Sequence, residues 1–185
     1  MRLTSREALR QSLSQYVTNF QEERKFVTQF LELLQSPRSF YRDHLPGHIT
    51  ASAWIVDEEK THALLVHHAK LGRWLQPGGH ADGDEDTLSV ASREVQEETG
   101  LEKLSLLVPG IFDLDIHPIP ARKDFPEHLH YDIRFGFIAP RENKLKISDE
   151  SNDLKWVTLN HVPELTEQNS SILRMVQKTL GTDQY

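Results

Sequence analysis

Residues 79–101 read GHADGDEDTLSVASREVQEETGL and carry most of the net negative charge of the chain. This stretch holds seven acidic residues and one basic residue, a formal charge of −6, against −7 for all 185 residues. The acids are Asp82, Asp84, Glu85, Asp86, Glu94, Glu97 and Glu98, and the base is Arg93. Neighbouring like charges without a partner repel each other, and a bound divalent cation is one way to offset that repulsion.

The second half of this stretch has the period of an amphipathic helix. Leu88, Ala91 and Val95 recur at three-to-four-residue spacing, which predicts a helix over residues 86–99. Gly100 follows directly, at the position where a helix commonly ends in a left-handed residue.

Glu94, Glu97 and Glu98 stand at i, i+3 and i+4 on this predicted helix. That spacing places three carboxylates on one face, with Cβ atoms about 5–6 Å apart. Carboxylate oxygens are ligands that Mg²⁺, Mn²⁺ and Ca²⁺ prefer. Taken alone, three such glutamates are more often a solvated surface. An EF-hand loop does not fit DGDED, because the glycine comes second.

The composition is typical of a globular enzyme. The length suits one domain with an appendage, the pI near 5.8 disfavours a nucleic-acid-binding surface, and no apolar run reaches the length of a membrane span. The N-terminus lacks the apolar core of a signal peptide, and the chain has no cysteine. We therefore expect a cytoplasmic protein without membrane or nucleic-acid partners.

The N-terminal segment, residues 1–46, is predicted to be a helical extension ahead of a main domain at 47–185. Its periodicity indicates two helices, or one long bent helix, over residues 1–36. Thr4 and Glu7 have the spacing of a capping box. An apolar stripe suggests a homodimer contact and consists of Leu9, Leu13, Val17 and Phe20.

The rest of the chain has mainly strand patterns. A hairpin is predicted over 48–56 and 62–68, followed by a turn at 76–79. Further strands are predicted at 104–108, 110–116, 130–139 and 154–159, and a last helix at 170–180. Strands interrupted by helices indicate an α/β (α+β) fold.

The acidic stretch resembles the Nudix box, G-x5-E-x7-R-E-U-x-E-E-x-G-U, where U is aliphatic. All nine defined positions are filled, namely by Gly79, Glu85, Arg93, Glu94, Val95, Glu97, Glu98, Gly100 and Leu101. The resemblance extends over residues 48 to about 180, and implies a Nudix-type α/β/α sandwich with a mixed sheet.

The resemblance also implies an activity, the hydrolysis of the pyrophosphate linkage in a nucleoside diphosphate joined to another group. By it, Glu94, Glu97 and Glu98 hold Mg²⁺, or alternatively Mn²⁺. Arg93 is similar to the family arginine that pairs with the loop glutamate, here Glu85.

Two carboxylates are candidates for the catalytic base, since Nudix members differ in its position. One is Glu94 in the box, and the other is Glu150, which precedes the predicted Trp-bearing strand 154–159. Glu150 is also a candidate metal ligand.

Residues outside the metal site are candidates for substrate binding: Gly79, His80, Arg73, Arg134 and Tyr131. For the arginines and the tyrosine, solvation and core packing are the competing interpretations. The proline-containing loop 117–128 is a candidate for specificity. His128 and His130 share one face of a predicted strand, but with no cysteine and no third ligand at helical spacing they do not predict a zinc site.

The leading functional hypothesis is a Mg²⁺-dependent pyrophosphatase of a nucleoside diphosphate sugar such as ADP-ribose. A nucleoside triphosphate or a capped RNA end is the alternative within the same class. A non-catalytic Nudix-fold regulatory module is the alternative from another class, although such modules usually have a broken box.

Overall fold

The computed structural model describes residues 5–123 and 125–181. Its elements follow in this order: α1 (Arg6–Ser14), α2 (Gln21–Leu33), β1 (Gly47–Val56), β2 (His62–His68), β3 (Arg73–Leu75), β4 (Gly78–His80), α3 (Thr87–Thr99), β5 (Ser105–Leu106), β6 (Asp113–Ile119), β7 (His128–Ile138), β8 (Ser151–Thr158), α4 (Val162–Leu165) and α5 (Ser170–Gly181).

The strands form a sheet in the order β3-β2-β1-β7-β5, with β4 beside β1, β6 beside β7 and β8 beside β2. The hairpin of β1 and β2 is antiparallel, with Val56 opposite Ala63. The strand-rich architecture with interspersed helices confirms the predicted α/β fold. In the described part of the chain, no helix has the length and apolar character that crossing a membrane requires.

The chain divides into two compact units, and β1, α3 and β7 each contribute to both. The first unit comprises residues 1–52, 78–92 and 109–135, and the second comprises 53–77, 93–108 and 136–185. The N-terminal helices therefore belong to a unit that also contains part of the acidic stretch. The boundary predicted after residue 46 stays a prediction.

In the first unit, α1 begins at an N-cap serine. The Ser5 side chain accepts a hydrogen bond from the Ala8 amide at 3.3 Å, while the predicted capping residue Thr4 lies outside the described residues. Leu9 and Leu13, one helical turn apart, are completely buried within the chain. Their burial gives α1 a packing role in this unit.

The predicted dimer stripe is not one helical face. The helix α1 ends at Ser14, and Val17 lies in the connection to α2 with its side chain 90% exposed. Leu9 and Leu13 are already buried within the chain. The homodimer therefore stays a prediction that these residues no longer support.

In the second unit, β2 pairs with β8 along seven residues of each strand, from His62 opposite Thr158 to His68 opposite Ser151. A buried hydrogen bond links helix α5 to β1: Trp54 Nε1 donates to Thr179 Oγ1 at 2.8 Å.

The turn predicted at 76–79 is a short strand in its second half. Gly79 of β4 lies opposite Ala51 of β1. At Gly78, an added Cβ would lie 2.3 Å from the Cβ of Ser52, so only glycine allows the two backbones to approach this closely. The sequence did not predict this pairing. The Pro-Gly-Gly segment indicates a turn, and a three-residue strand that contains two glycines has no period-two pattern of side chains.

Candidate active site

Three of the four glutamates of the acidic stretch, Glu94, Glu97 and Glu98, lie on the last two turns of α3. Arg93 Nη2 donates to Glu94 Oε1 at 2.9 Å, and the Glu94 side chain is only 14% exposed. Glu97 is exposed and Glu98 is half-buried. The donor set consists of carboxylate oxygens at i, i+3 and i+4, so its chemistry fits a hard divalent cation.

The helix ends as the box requires. Gly100 has φ +74°, and its amide donates to Gln96 O at 3.0 Å, which confirms the predicted left-handed residue at the helix end. A Cβ at this position would lie 2.8 Å from the Cβ of Lys146, whose amide donates to Thr99 O at 2.9 Å. The end of the acidic helix is thus held by the segment before β8.

Glu85, the loop glutamate of the box, is bound by the N-terminal helix. The Arg6 amide donates to Glu85 Oε2 at 2.8 Å, and Arg6 Nη2 donates to Glu85 Oε1 at 3.0 Å. The same guanidinium donates to the carbonyls of Ser36 and Pro37. The N-terminal segment therefore orients a box residue, a contact that sequence reasoning missed. The pairing of Arg93 with Glu85 stays a prediction.

Glu150 lies in an exposed turn directly before β8. Its carbonyl accepts a hydrogen bond from the Ala69 amide at 2.9 Å, which fixes the backbone of this turn. The position ahead of the Trp-bearing strand is as predicted, and the role of the carboxylate as base or metal ligand stays a prediction.

Arg134 is 2% exposed and engages three aspartates of the first unit. Its Nε donates to Asp132 at 2.8 Å, Nη1 to Asp113 at 3.2 Å and Nη2 to Asp115 at 3.0 Å. Burial alone lowers the pKa of Arg134, but the carboxylates, led by Asp115, raise it above its usual range. These ion pairs assign Arg134 a structural role, and the predicted substrate contact stays without support from this geometry.

Tyr131 packs in the core of the first unit. It is 7% exposed, its ring meets Phe30 edge-on at 5.3 Å between centroids, and burial raises the pKa of its hydroxyl. This geometry agrees with core packing, which is the competing interpretation of Tyr131 from the sequence. Its stacking on a substrate base stays a prediction.

Arg73 borders a surface pocket of about 330 Å³ in the second unit. Trp74 lines the same pocket, and its ring lies 5.1 Å from that of His67. Arg73 Nε is 3.9 Å from the carboxylate of Glu167 on the pocket wall. An indole, an imidazole and an exposed guanidinium give this pocket the chemistry to hold an aromatic or phosphorylated group.

Five histidines of the first unit lie together at one end of the sheet: His48, His80, His117, His128 and His130. Their neighbouring rings are separated by 5.0–5.5 Å between centroids. His80, a predicted substrate contact, belongs to this cluster through β4. Sequence reasoning paired His128 with His130 but missed His48, since only the sheet brings β1 beside them.

The cluster keeps its innermost imidazoles uncharged. Burial, followed by the proximity of His80, lowers the pKa of His48 to about 4. Burial, again followed by His80, lowers the pKa of His130 to about 2, and burial followed by Arg42 lowers that of His80.

Acid is expected to destabilise the fold through His48, when EDTA keeps the protein free of metal. Between pH 6.5 and 4, the unfolded chain binds a proton at His48 that the folded chain does not, so the free energy of unfolding falls as the pH falls. Denaturant titrations at pH 7.5 and 5.0 measure this difference. In His48→Gln, the fall in the free energy of unfolding from pH 7.5 to pH 5.0 should be smaller by about 2 kcal/mol than in the wild type. His161→Gln, at an exposed histidine outside the cluster, should show the same fall as the wild type. Equal pH dependence in all three proteins would contradict the assignment.

Comparison with known proteins gives a family match over most of the chain. The NUDIX domain family matches residues 46–178. A bis(5′-nucleosyl)-tetraphosphatase (asymmetrical) from Rattus norvegicus is 28% identical over 102 residues, which are 55% of this chain and 63% of the rat protein. A putative 8-oxo-dGTP diphosphatase from Bacillus subtilis (strain 168) is 29% identical over 109 residues, 59% of this chain and 66% of that protein.

Solved structures share the fold. An Ap4A hydrolase from C. elegans, determined as a binary complex, matches with a TM-score of 0.59 at 19% identity, covering 72% of this chain and 95% of that one. A bifunctional NMN adenylyltransferase/ADP ribose pyrophosphatase from Francisella tularensis matches with a TM-score of 0.52 at 20% identity, covering 85% of this chain and 47% of that one. With the complete box over residues 79–101 and a family match over residues 46–178, the chain belongs to the NUDIX domain family.

Proposed function

We propose that this chain is a Mg²⁺-dependent hydrolase of a nucleoside diphosphate linked to a second group, cleaving at the pyrophosphate. The observation that carries the proposal is the set of three carboxylates on α3, with Arg93 bound to Glu94. Nudix enzymes generally use a divalent metal, and here Glu94, Glu97 and Glu98 would hold it. A cation bound there would supply neutralisation of the phosphate charge and a lowered pKa of a bound water molecule.

The protein side chains supply orientation and a base. Arg93 fixes the Glu94 carboxylate through a charge-assisted hydrogen bond, so that the carboxylate keeps one position on the helix face. Arg6 fixes Glu85 in the loop that precedes the helix. Glu94 and Glu150 remain the two candidates for the group that accepts the proton of the attacking water.

Two classes of substrate have support. A sugar nucleotide such as ADP-ribose fits the pyrophosphate chemistry and is the leading hypothesis from the sequence. A dinucleoside tetraphosphate is favoured by the 28% identical rat relative, which is named for that reaction. In either case we propose that the pocket of Arg73 and Trp74 receives the group beyond the pyrophosphate, because it offers a ring face and a cation side by side.

A substrate panel distinguishes these possibilities. The purified chain with Mg²⁺ is incubated with ADP-ribose, diadenosine tetraphosphate, 8-oxo-dGTP and a capped RNA oligonucleotide, and the nucleotide products are separated by chromatography. We expect AMP from ADP-ribose, or ATP with AMP from the dinucleotide. Release of a nucleotide from the capped RNA would instead identify RNA as the substrate. The acidic charge of the chain disfavours that outcome.

The pocket variant Trp74→Ala is the specificity control in this panel. It is expected to raise KM for the preferred substrate while leaving kcat within a few-fold, because the indole lies outside the acidic helix. If the protein hydrolyses none of these compounds with either Mg²⁺ or Mn²⁺, the result would contradict the enzyme proposal and favour a nucleotide-binding module.

We further propose a cytoplasmic location and a homodimer. Light scattering at micromolar concentration measures the oligomeric state.

A further inference from the structure

The histidine cluster of the first unit has the arrangement of a second metal centre. His48, at the start of β1, meets His128 and His130, at the start of β7, with ring centroids 5.0–5.3 Å apart. One nitrogen of each ring lies within 4.8 Å of the corresponding nitrogen of the other two. We propose that these three imidazoles bind one Zn²⁺ ion, at a site distinct from the carboxylates of α3.

The hydrogen bonds of two rings leave Nε2, with its lone pair, as the nitrogen available to a metal. His128 Nδ1 lies 2.9 Å from the Pro126 carbonyl oxygen, and His48 Nδ1 lies 3.4 Å from that of His44. Because a carbonyl oxygen only accepts, each Nδ1 carries the proton, and Nε2 of the neutral ring keeps its lone pair. Metal-binding histidines are characteristically held in this way, with the second nitrogen donating to a carbonyl or a carboxylate.

Two Nε2 atoms of the cluster are buried and make no hydrogen bond with the described residues. Across residues 5–123 and 125–181, Nε2 of His48 and Nε2 of His130 are buried without a hydrogen-bond partner. His48 is only 1% exposed, so solvent does not satisfy its ring. Buried polar atoms are normally paired in folded proteins, and an orphaned lone pair beside two other imidazoles is explained by a cation that all three bind.

The strands that carry these residues also provide an outer layer. His117 lies opposite His130 in the β6–β7 pairing, and its Nδ1 is 3.1 Å from Asp115 Oδ2. Asp115 is in turn held by Arg134 at 3.0 Å. This chain of contacts fixes a fourth imidazole at the edge of the cluster, as carboxylate–histidine pairs do around zinc sites.

The donor set selects the class of ion. Imidazole nitrogen suits Zn²⁺ and the neighbouring first-row metals, whereas Mg²⁺ requires oxygen ligands. Zinc is bound by three protein ligands and one further group when the site is open, with Zn–N distances of about 2.0–2.1 Å. The two centres of this protein are therefore expected to take different cations, Zn²⁺ at the histidines and Mg²⁺ at the glutamates.

Metal titration of the intact chain tests this inference. Protein stripped with EDTA and returned to buffer with millimolar Mg²⁺ is titrated with Zn²⁺ against a chromophoric chelator, and in parallel with Co²⁺ while the visible absorption is recorded. We expect one equivalent of Zn²⁺ that Mg²⁺ does not displace, and a Co²⁺ band typical of a low-coordinate nitrogen site. His128→Gln and His130→Gln should each weaken Zn²⁺ binding at least about 10-fold, because even outer partners of a metal ligand contribute that much.

Two controls separate the histidine site from other zinc binding. Glu97→Gln alters the carboxylate site and should leave the tight Zn²⁺ equivalent and the Co²⁺ band unchanged. His161→Gln, an exposed histidine of the second unit, should bind as the wild type does. Circular dichroism confirms that each variant is folded. His128 and His130 are both half-buried and lie at the start of β7, so their substitution is expected to disturb the core little.

The inference is overturned if the wild type takes up no tight Zn²⁺ or gives no Co²⁺ band. It is equally overturned if folded His128→Gln and His130→Gln bind Zn²⁺ as the wild type does, or if Glu97→Gln alone removes the ion. None of these results depends on nucleotide hydrolysis, so a failure of the proposed enzyme activity leaves this test intact.

Discussion

Glu97→Gln is expected to lower kcat/KM for the preferred nucleotide roughly 100-fold or more while leaving the fold intact. The substitution keeps the size of the side chain but removes one of three negative charges on the face of α3. Cation-based stabilisation of a phosphoryl transition state contributes several kcal/mol, and about 2.7 kcal/mol corresponds to 100-fold in rate. Because Glu97 is exposed, its loss should change the free energy of unfolding by less than about 0.5 kcal/mol.

Glu102→Gln is the matched control for this experiment. Glu102 is an exposed glutamate that follows the box by one residue, so the change in net charge and in chemistry is the same. We expect its kcat/KM to stay within about two-fold of the wild type, since surface substitutions away from a site have small effects. Steady-state kinetics over a range of Mg²⁺ concentrations measure both variants. Full activity of Glu97→Gln would refute the assignment of the acidic face as the metal site.

The acidic helix was predictable because its signals are local. The period of Leu88, Ala91 and Val95 predicted a helix over 86–99, and the structure has α3 at Thr87–Thr99. Gly100 takes the left-handed conformation expected at a helix end. Each of these features depends on residues within four positions of one another, which is the range over which a sequence pattern reports geometry.

The partners of the box were not predictable in the same way. Arg6 binds Glu85 across 79 positions of sequence, and no local pattern relates an N-terminal helix to a loop so far along the chain. The same holds for His48, which reaches His128 and His130 only because the sheet brings β1 and β7 together. Pairing between distant strands depends on tertiary packing, so a single sequence indicates the strands but not their neighbours.

Arg134 illustrates the same limit in a single residue. Its place in an alternating strand was evident, but an arginine in such a strand is usually exposed, and the sequence therefore suggested a phosphate contact. The structure surrounds it with the three aspartates of β6 and β7 that share its face of the sheet, Asp113, Asp115 and Asp132. Two of these come from a strand whose register against β7 no sequence pattern specified.

Arg134→Met is therefore expected to destabilise the protein by about 3–5 kcal/mol, because it leaves three buried carboxylates without their cation. Asp132 would still accept hydrogen bonds from the hydroxyls of Thr50 and Ser52, at 3.1 and 2.8 Å, but these carry no positive charge. For a chain of this length, such a loss lowers Tm by roughly 6–20 °C. Denaturant unfolding monitored by circular dichroism, with calorimetry for Tm, measures the effect.

A surface arginine provides the matched comparison, since Arg42→Met also removes an ion pair, the one with Asp82, but at an exposed position. It is expected to cost less than about 1 kcal/mol, because solvent and salt screen exposed charges. Arg134→Lys should fall between the two, as it keeps one charge but lacks the fork that reaches three carboxylates in different directions. If Arg134→Met proved as stable as Arg42→Met while its KM for nucleotide rose sharply, the substrate contact suggested by the sequence would be restored and the structural role withdrawn.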